Sequence, residues 1–347
     1  MPTIALLPGV TAEEFDHFER ALKLFVHSRD LPLYKMMAYH LGWVDQNGEP
    51  DSGVQQSRTY GPLVLAATKA AGGDASEAMP YAVAIELLNN FLLVHEDVRN
   101  ANTERNSRPT IWWSWGPAQA INAGDGMHAM ARLSIFEQQQ AHGKASDPTQ
   151  VSMALQSLDR ATLQICEGEF LDISFQERAA VGVNEIEGIA RRHGALYGAA
   201  AKLGGIAACA NDKVLGGFED FGTALGTAHN FNIDLKAMWP NTGMERNEVQ
   251  RGRIQSKNKS LAVAHAIENG SPSTRRRIGE IFMKRLLDPS DINELAKILE
   301  STGSKSFAES RVDDEVHNVI TTLEVIGLSV GNRDSLADCA KSIVESV

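Results

Sequence analysis

Apolar residues recur at three- and four-residue intervals along almost the whole chain, the period of helices packed on one face. From Pro148 to Phe175 they run through Val151, Leu155 and Leu158 to Ile165, predicting one long helix. Pro62 to Ala71 is apolar and alanine-rich and stops at Gly72-Gly73-Asp74. Val183 to Ala210 is rich in alanine and glycine, and Gly204-Gly205 within it predicts close helix packing. Ala262 to Val347 predicts three or four amphipathic helices, separated by Gly270-Ser271-Pro272, Pro289-Ser290-Asp291 and Gly303. Thr11 followed by Glu13 and Glu14 reads as a helix start, with acids against the positive end of the dipole. Segments alternating with the period of a strand are missing, as are internal repeats and low-complexity tracts. The expectation is an all-α chain forming one domain over 1–347.

Composition narrows the partners. Lys and Arg number 33 against 44 Asp and Glu, a formal net charge of −11. This argues against general nucleic-acid binding and against a polybasic membrane-surface anchor. Cys166, Cys209 and Cys339 lie far apart and have no metal-type spacing, which fits buried thiols in a reducing cytoplasm. The start, MPTIALLPGVTAEEF, lacks the basic region of a signal peptide. No apolar run reaches the roughly 20 residues that span a bilayer. A cytoplasmic protein without stable membrane insertion is expected.

Candidate chemistry concentrates between Glu86 and Ala131. The run ELLNNFLLVHEDVRN reads as an apolar helix ending on two adjacent acids, Glu96 and Asp97. A polar loop with Arg105 and Arg108 follows, and a second helix opens after Gly116-Pro117. Acids at a helix end beside guanidinium groups suit a magnesium-bridged diphosphate: the metal takes hard oxygen ligands, while arginine pairs with the remaining phosphate oxygens. The bland alternative is a solvated helix end with a surface ion pair.

In register, Glu86, Leu87, His95, Asp97, Arg105, Pro109, Thr110, Trp115, Gly116, Ala120, Gly124 and Asp125 match a known pattern. The segment resembles the first aspartate-rich region of the trans-isoprenyl diphosphate synthases, the polyprenyl synthetase family. Tyr39-His40-Leu41-Gly42-Trp43, Gly168 with Leu171-Asp172, Gly194-Ala195-Leu196-Tyr197 and Lys259-Ser260-Leu261 extend the resemblance. It implies an isoprenoid-synthase-type helical bundle around a central cavity, an allylic prenyl diphosphate substrate, a magnesium cofactor and a homodimer. It also implies that Glu96 and Asp97 face Asp234 across the cavity mouth.

The departures from the pattern bear on function. Glu96, Asp97 and Asn100 stand in the three aspartate places of the first region. The second region becomes Ile233-Asp234-Leu235-Lys236-Ala237, with Asn230 in the usual glutamine place, so Asp234 is its one remaining acid. Glu169, a turn from Asp172, either supplies a compensating ligand or forms an ordinary polar pair. On the allylic side the resemblance implies three cations that grip the diphosphate, and Arg105, Arg192 and Lys259 keep all three. On the isopentenyl diphosphate side only Arg58 remains charged; Asn89 and Asn106 replace the other two. Each charge-assisted hydrogen bond contributes roughly 1.5–3 kcal/mol, so that side is expected to bind weakly. His95, His128, His193 and His229 read as packing or hydrogen-bonded histidines, Met127 and Met130 as core. At least one of Trp112, Trp113 and Trp115 is expected to pack internally.

Phe91 and Leu92 lie about one turn below the first acid, since a turn is 3.6 residues. The resemblance implies that an aromatic there floors the hydrocarbon cavity, here at about fifteen carbons; otherwise Phe91 belongs to the core. Three functional readings stay open. The leading one is a magnesium-dependent terpene synthase or prenyltransferase that ionises one allylic diphosphate without extending it. The second is a chain-elongating synthase of the geranyl, farnesyl or geranylgeranyl type. The third is a non-catalytic partner subunit of such a synthase.

Overall fold

A computed structural model describes residues 6–51, 56–141, 147–176, 178, 180–241 and 243–346. The described residues form fifteen α-helices. The only strands among them are two-residue β1 (Glu104–Arg105) and β2 (Arg108–Pro109), a small antiparallel pair. The expected all-α class therefore holds.

The first seven helices are α1 (Ala12–His27), α2 (Pro32–His40), α3 (Tyr60–Ala70), α4 (Met79–Arg99), α5 (Ile111–Trp115), α6 (Pro117–Ala141) and α7 (Pro148–Gln176). They are followed by α8 (Val183–Ala207), α9 (Asp212–Met238), α10 (Glu248–Gln255) and α11 (Leu261–Asn269). The last are α12 (Pro272–Met283), α13 (Pro289–Ser301), α14 (Ser304–Ile326) and α15 (Val330–Glu345). The helix start expected at Thr11 is that of α1, where Thr11 and Glu14 form a capping box. Five helices, not three or four, follow Ser260. Gly303 at φ +70° ends α13, and Gly327 at φ +88° makes a further break that the hydrophobic pattern does not mark.

Contacts divide the chain into two compact units. The first comprises 1–160, 199–219 and 323–342. Its central helix, α4, is buried around most of its circumference, including Tyr81, Ile85 and Leu87, and packs against α3 and α6. With the turn before it, Ala75–Arg99 is long and apolar enough to cross a membrane, which corrects the expectation that no such run exists. Most of that helix is buried inside the unit, and Glu86, Asn89 and Asn90 interrupt its apolar surface. Gly204 of α8 lets α3 approach closely: a Cβ there would stand 2.6 Å from the Val64 carbonyl oxygen.

The second unit comprises 161–198, 220–322 and 343–347. Its core gathers Phe175, Ile189, Phe231, Leu261, Ile281 and Leu299. Gly194 of α8 lies against Thr223 of α9, where a Cβ would come within 2.6 Å of a backbone oxygen. Small residues bring these two backbones together, and α9 thereby receives a fixed position for its polar face.

Candidate functional site

The first unit presents the acidic end of α4. Asp97 is 2% exposed, and its carboxylate accepts from Arg105 Nε at 3.0 and 3.1 Å and from Nη2 at 2.7 Å. The same Nη2 donates to Glu96 Oε2 at 2.9 Å. Burial alone would lower the guanidinium pKa, but Glu96 and Asp97 together raise it, so Arg105 stays charged. A two-residue hairpin delivers it: Arg105 pairs with Arg108, and Asn106 and Ser107 form the turn at φ +53° and +58°. Thr110 Oγ1 and Trp112 Nε1 anchor the loop on the Asn102 carbonyl at 2.8 and 2.6 Å. Trp112 is half-buried over this loop, whereas Trp113 is 60% exposed.

Glu96 and Asp97 converge on one cation and so present the hard carboxylate oxygens that a magnesium ion takes. Glu96 and Asp97 therefore fit magnesium. Asn100 does not join them: it caps α4, and its Oδ1 accepts from Arg99 Nε at 3.4 Å. Asn102, which the sequence did not single out, donates to Asp97 Oδ1 at 3.2 Å. Among the described residues no three His, Cys, Asp or Glu side chains cluster as a metal site.

Arg58, expected from the resemblance on the isopentenyl diphosphate side, is engaged within the protein. It is buried, donating to Glu19 at 2.7 Å, the Leu41 carbonyl at 2.7 Å and Gln56 at 3.0 Å, so its charge is spent in the interior. Around it lies a polar network missed by the sequence reading. Glu86 is buried, which pushes its carboxyl pKa up, and it accepts from the Gly61 N–H at 3.1 Å. Burial, with Arg105, Arg58 and Arg108 nearby, drives the His40 pKa down to about 3. Arg108 covers the Tyr39 ring at 4.1 Å and donates to the Val44 carbonyl, tying the Tyr39–Trp43 segment to the hairpin. Asn89 is half-buried on α4. Phe91 and Leu92 are half-buried too, and the Phe91 ring stands between His95 at 4.7 Å and His128 at 4.8 Å.

The second unit presents Asp234, on the face of α9 that also carries Asn230. Burial pushes the Asp234 pKa up to about 6, against the opposing effect of Arg253. Arg253 of α10 places Nε 3.7 Å from Asp234 Oδ1 and donates from Nη2 to Asn230 Oδ1 at 2.8 Å. Asn230 therefore orients an arginine. Lys236 turns aside to Asn241 at 2.5 Å. Asp172 accepts from Asn258 Nδ2 at 2.8 Å, while Glu169 lies 3.6 Å from His193 Nε2.

Lys259, expected from the resemblance to grip the allylic diphosphate, is engaged within the protein. Its Nζ donates to the carbonyl oxygens of Phe175, Gln176 and Arg178, closing the carboxy end of α7. A lysine there offsets the negative end of the helix dipole and satisfies carbonyls with no helical partner. The neighbouring Asn258, not Lys259, faces the acid. Arg192 donates to the Gly188 carbonyl at 2.9 Å and lies 3.6 Å from Glu167, with its side chain 38% exposed.

Comparison with known proteins agrees with the sequence motifs. The polyprenyl synthetase family model matches residues 55–299, and the chain belongs to that family. A (2E,6E)-farnesyl diphosphate synthase of Mycobacterium tuberculosis is 29% identical over 314 residues, covering 89% of this chain and 85% of its own length. A geranylgeranyl diphosphate synthase of the same species is 28% identical over 299 residues, covering 86% and 83%. Among solved structures, a polyprenyl synthetase from Streptomyces coelicolor A3(2) superposes with a TM-score of 0.84 at 25% identity, covering 97% of this chain and 98% of its own.

Proposed function

We propose that this chain is a prenyltransferase that extends an allylic diphosphate with isopentenyl diphosphate, a short-chain synthase of the farnesyl or geranylgeranyl type. The observation that carries the reading is the convergence of Glu96 and Asp97 on a single cation at the end of α4. Relatives named for farnesyl and geranylgeranyl diphosphate synthesis match over more than four fifths of the chain, which favours elongation over the terpene synthase suggested by the degraded motifs. Glu96 and Asp97 would hold a magnesium ion, which when bound would supply Lewis-acid stabilisation of the leaving diphosphate, and Arg105 would supply a planar donor pair for phosphate oxygens. Arg192 remains available as a partly exposed cation. The family match runs through residues of both units, which supports treating 1–347 as one functional domain.

A second reading, ionisation without elongation, keeps one specific support. Asn89 and Asn106 replace cations on the isopentenyl diphosphate side, and Arg58 is committed to Glu19 and the Leu41 carbonyl. The deciding experiment incubates the protein and magnesium with allylic diphosphates of ten, fifteen and twenty carbons, with and without isopentenyl diphosphate. A longer diphosphate formed only in its presence supports the synthase. A hydrocarbon or alcohol formed in its absence supports the second reading. Silence in both, relieved by a partner chain, supports a non-catalytic subunit.

A cytoplasmic homodimer completes the proposal. Ile121, Leu133 and Phe136 leave apolar surface exposed along α6, which pairing of two copies would cover. A monomer in light scattering would remove this part.

A further inference from the structure

We infer that the second acidic segment is a guanidinium site and not a metal site: Arg253 supplies there the fixed positive charge that a metal ion would bring. The inference rests on the diphosphate chemistry proposed above. On α9, Gly226, Asn230 and Asp234 follow at four-residue intervals and share one face. Asn230 Nδ2 donates to the Gly226 carbonyl at 2.8 Å, which fixes the amide and turns its Oδ1 outward. That oxygen accepts from Arg253 Nη2 at 2.8 Å, and Nε of the same guanidinium lies 3.7 Å from Asp234 Oδ1. The arginine is thus located by two residues of one helix face.

The remaining groups do not make a metal site. Ile233, Leu235 and Ala237 offer no side-chain oxygen, and the Lys236 amine is held by Asn241. Asp172, the other carboxylate whose charge Asp234 feels, is bonded by Asn258. Asp172, Asp234 and Arg253 together carry one net negative charge. Magnesium demands octahedral oxygen coordination and draws its affinity largely from carboxylate charge, and where the first segment offers the adjacent acids Glu96 and Asp97 the second offers Asp234 alone. An arginine needs no metal to present a positive charge, keeps it at every working pH, and offers planar donors that match phosphate.

The test counts metal ions per chain by equilibrium dialysis with manganese(II) in the presence of inorganic pyrophosphate. Wild type and Asp234→Asn should bind the same number of ions, whereas Asp97→Asn should bind fewer. Arg253→Gln should weaken pyrophosphate binding about tenfold, the loss of one charge-assisted bond, and Arg253→Lys should recover part of it. Circular dichroism establishes that each variant folds; if Arg253→Gln does not, Asp234→Asn and Arg253→Lys carry the test. Loss of an ion in Asp234→Asn overturns the inference, as does unchanged pyrophosphate affinity in a folded Arg253→Gln. Failure of wild type to bind pyrophosphate sinks both this inference and the proposed function. The stated binding pattern without any prenyl transfer sinks only the latter.

Discussion

Arg105 grips both carboxylate oxygens of Asp97, through Nε at 3.0 and 3.1 Å and Nη2 at 2.7 Å, on a side chain that is 3% exposed. A metal ion held by Glu96 and Asp97 would therefore have to compete with this guanidinium for the Asp97 oxygens.

Removing this competitor separates metal binding from turnover. Arg105→Ala should bind magnesium alone more tightly, by about tenfold, because one charge-assisted contact is worth roughly 1.5–3 kcal/mol. Turnover should fall, since the leaving diphosphate loses a donor. Isothermal titration without diphosphate measures the first effect; equal affinity in variant and wild type would show that Arg105 does not hold the acids against metal.

Ser107 adopts φ +58° in the hairpin turn, a conformation that costs an L-residue roughly 1–2 kcal/mol and glycine almost nothing. Glycine also loses more entropy on folding, so the net gain from Ser107→Gly is about 0.5–1 kcal/mol. Thermal unfolding should shift upward by about 1 °C, since the unfolding entropy that divides this gain scales with chain length. A lower midpoint would mean that the serine side chain contributes more than its backbone costs.

Phe91 stands between two imidazoles and is half-buried, so its role differs from that of a core residue such as Tyr81. Phe91→Ala should cost less than the roughly 3–5 kcal/mol of a fully buried aromatic. If the ring floors a hydrocarbon cavity, the variant should accept longer allylic diphosphates than wild type. Unchanged chain-length preference with a large stability loss would return Phe91 to the core.

His229 is buried with its pKa lowered to about 4, by burial first, and its Nδ1 meets the Ile343 carbonyl at 3.0 Å. Between pH 6.5 and 4 the unfolded chain binds a proton here that the folded chain does not. Its neutral form thus contributes stability that is lost as pH falls through that window, by about 2–3 kcal/mol at most. Asp234, whose pKa is raised to about 6, acts in the opposite direction, so the comparison must be with a variant. His229→Gln should show a flatter loss of denaturant stability from pH 6.5 to 4 than wild type; parallel curves would exclude the effect.

The sequence by itself determined what depends on neighbours along the chain. Helical periodicity, the Thr11–Glu14 cap, the glycines that let α3 and α8 meet, and acids on the last turn of α4 are all local patterns. The family followed from residues in register over the same segment. The destinations of the long cations were decided only by tertiary structure. Arg58 reaches Glu19, Lys259 reaches carbonyls more than eighty residues away at the end of α7, and Arg253 reaches Asn230 and Asp234. Lysine and arginine carry their charge at the end of flexible stems, so a motif position places the Cα but leaves the charge free to settle on whichever carboxylate or unpaired carbonyl folding brings within reach.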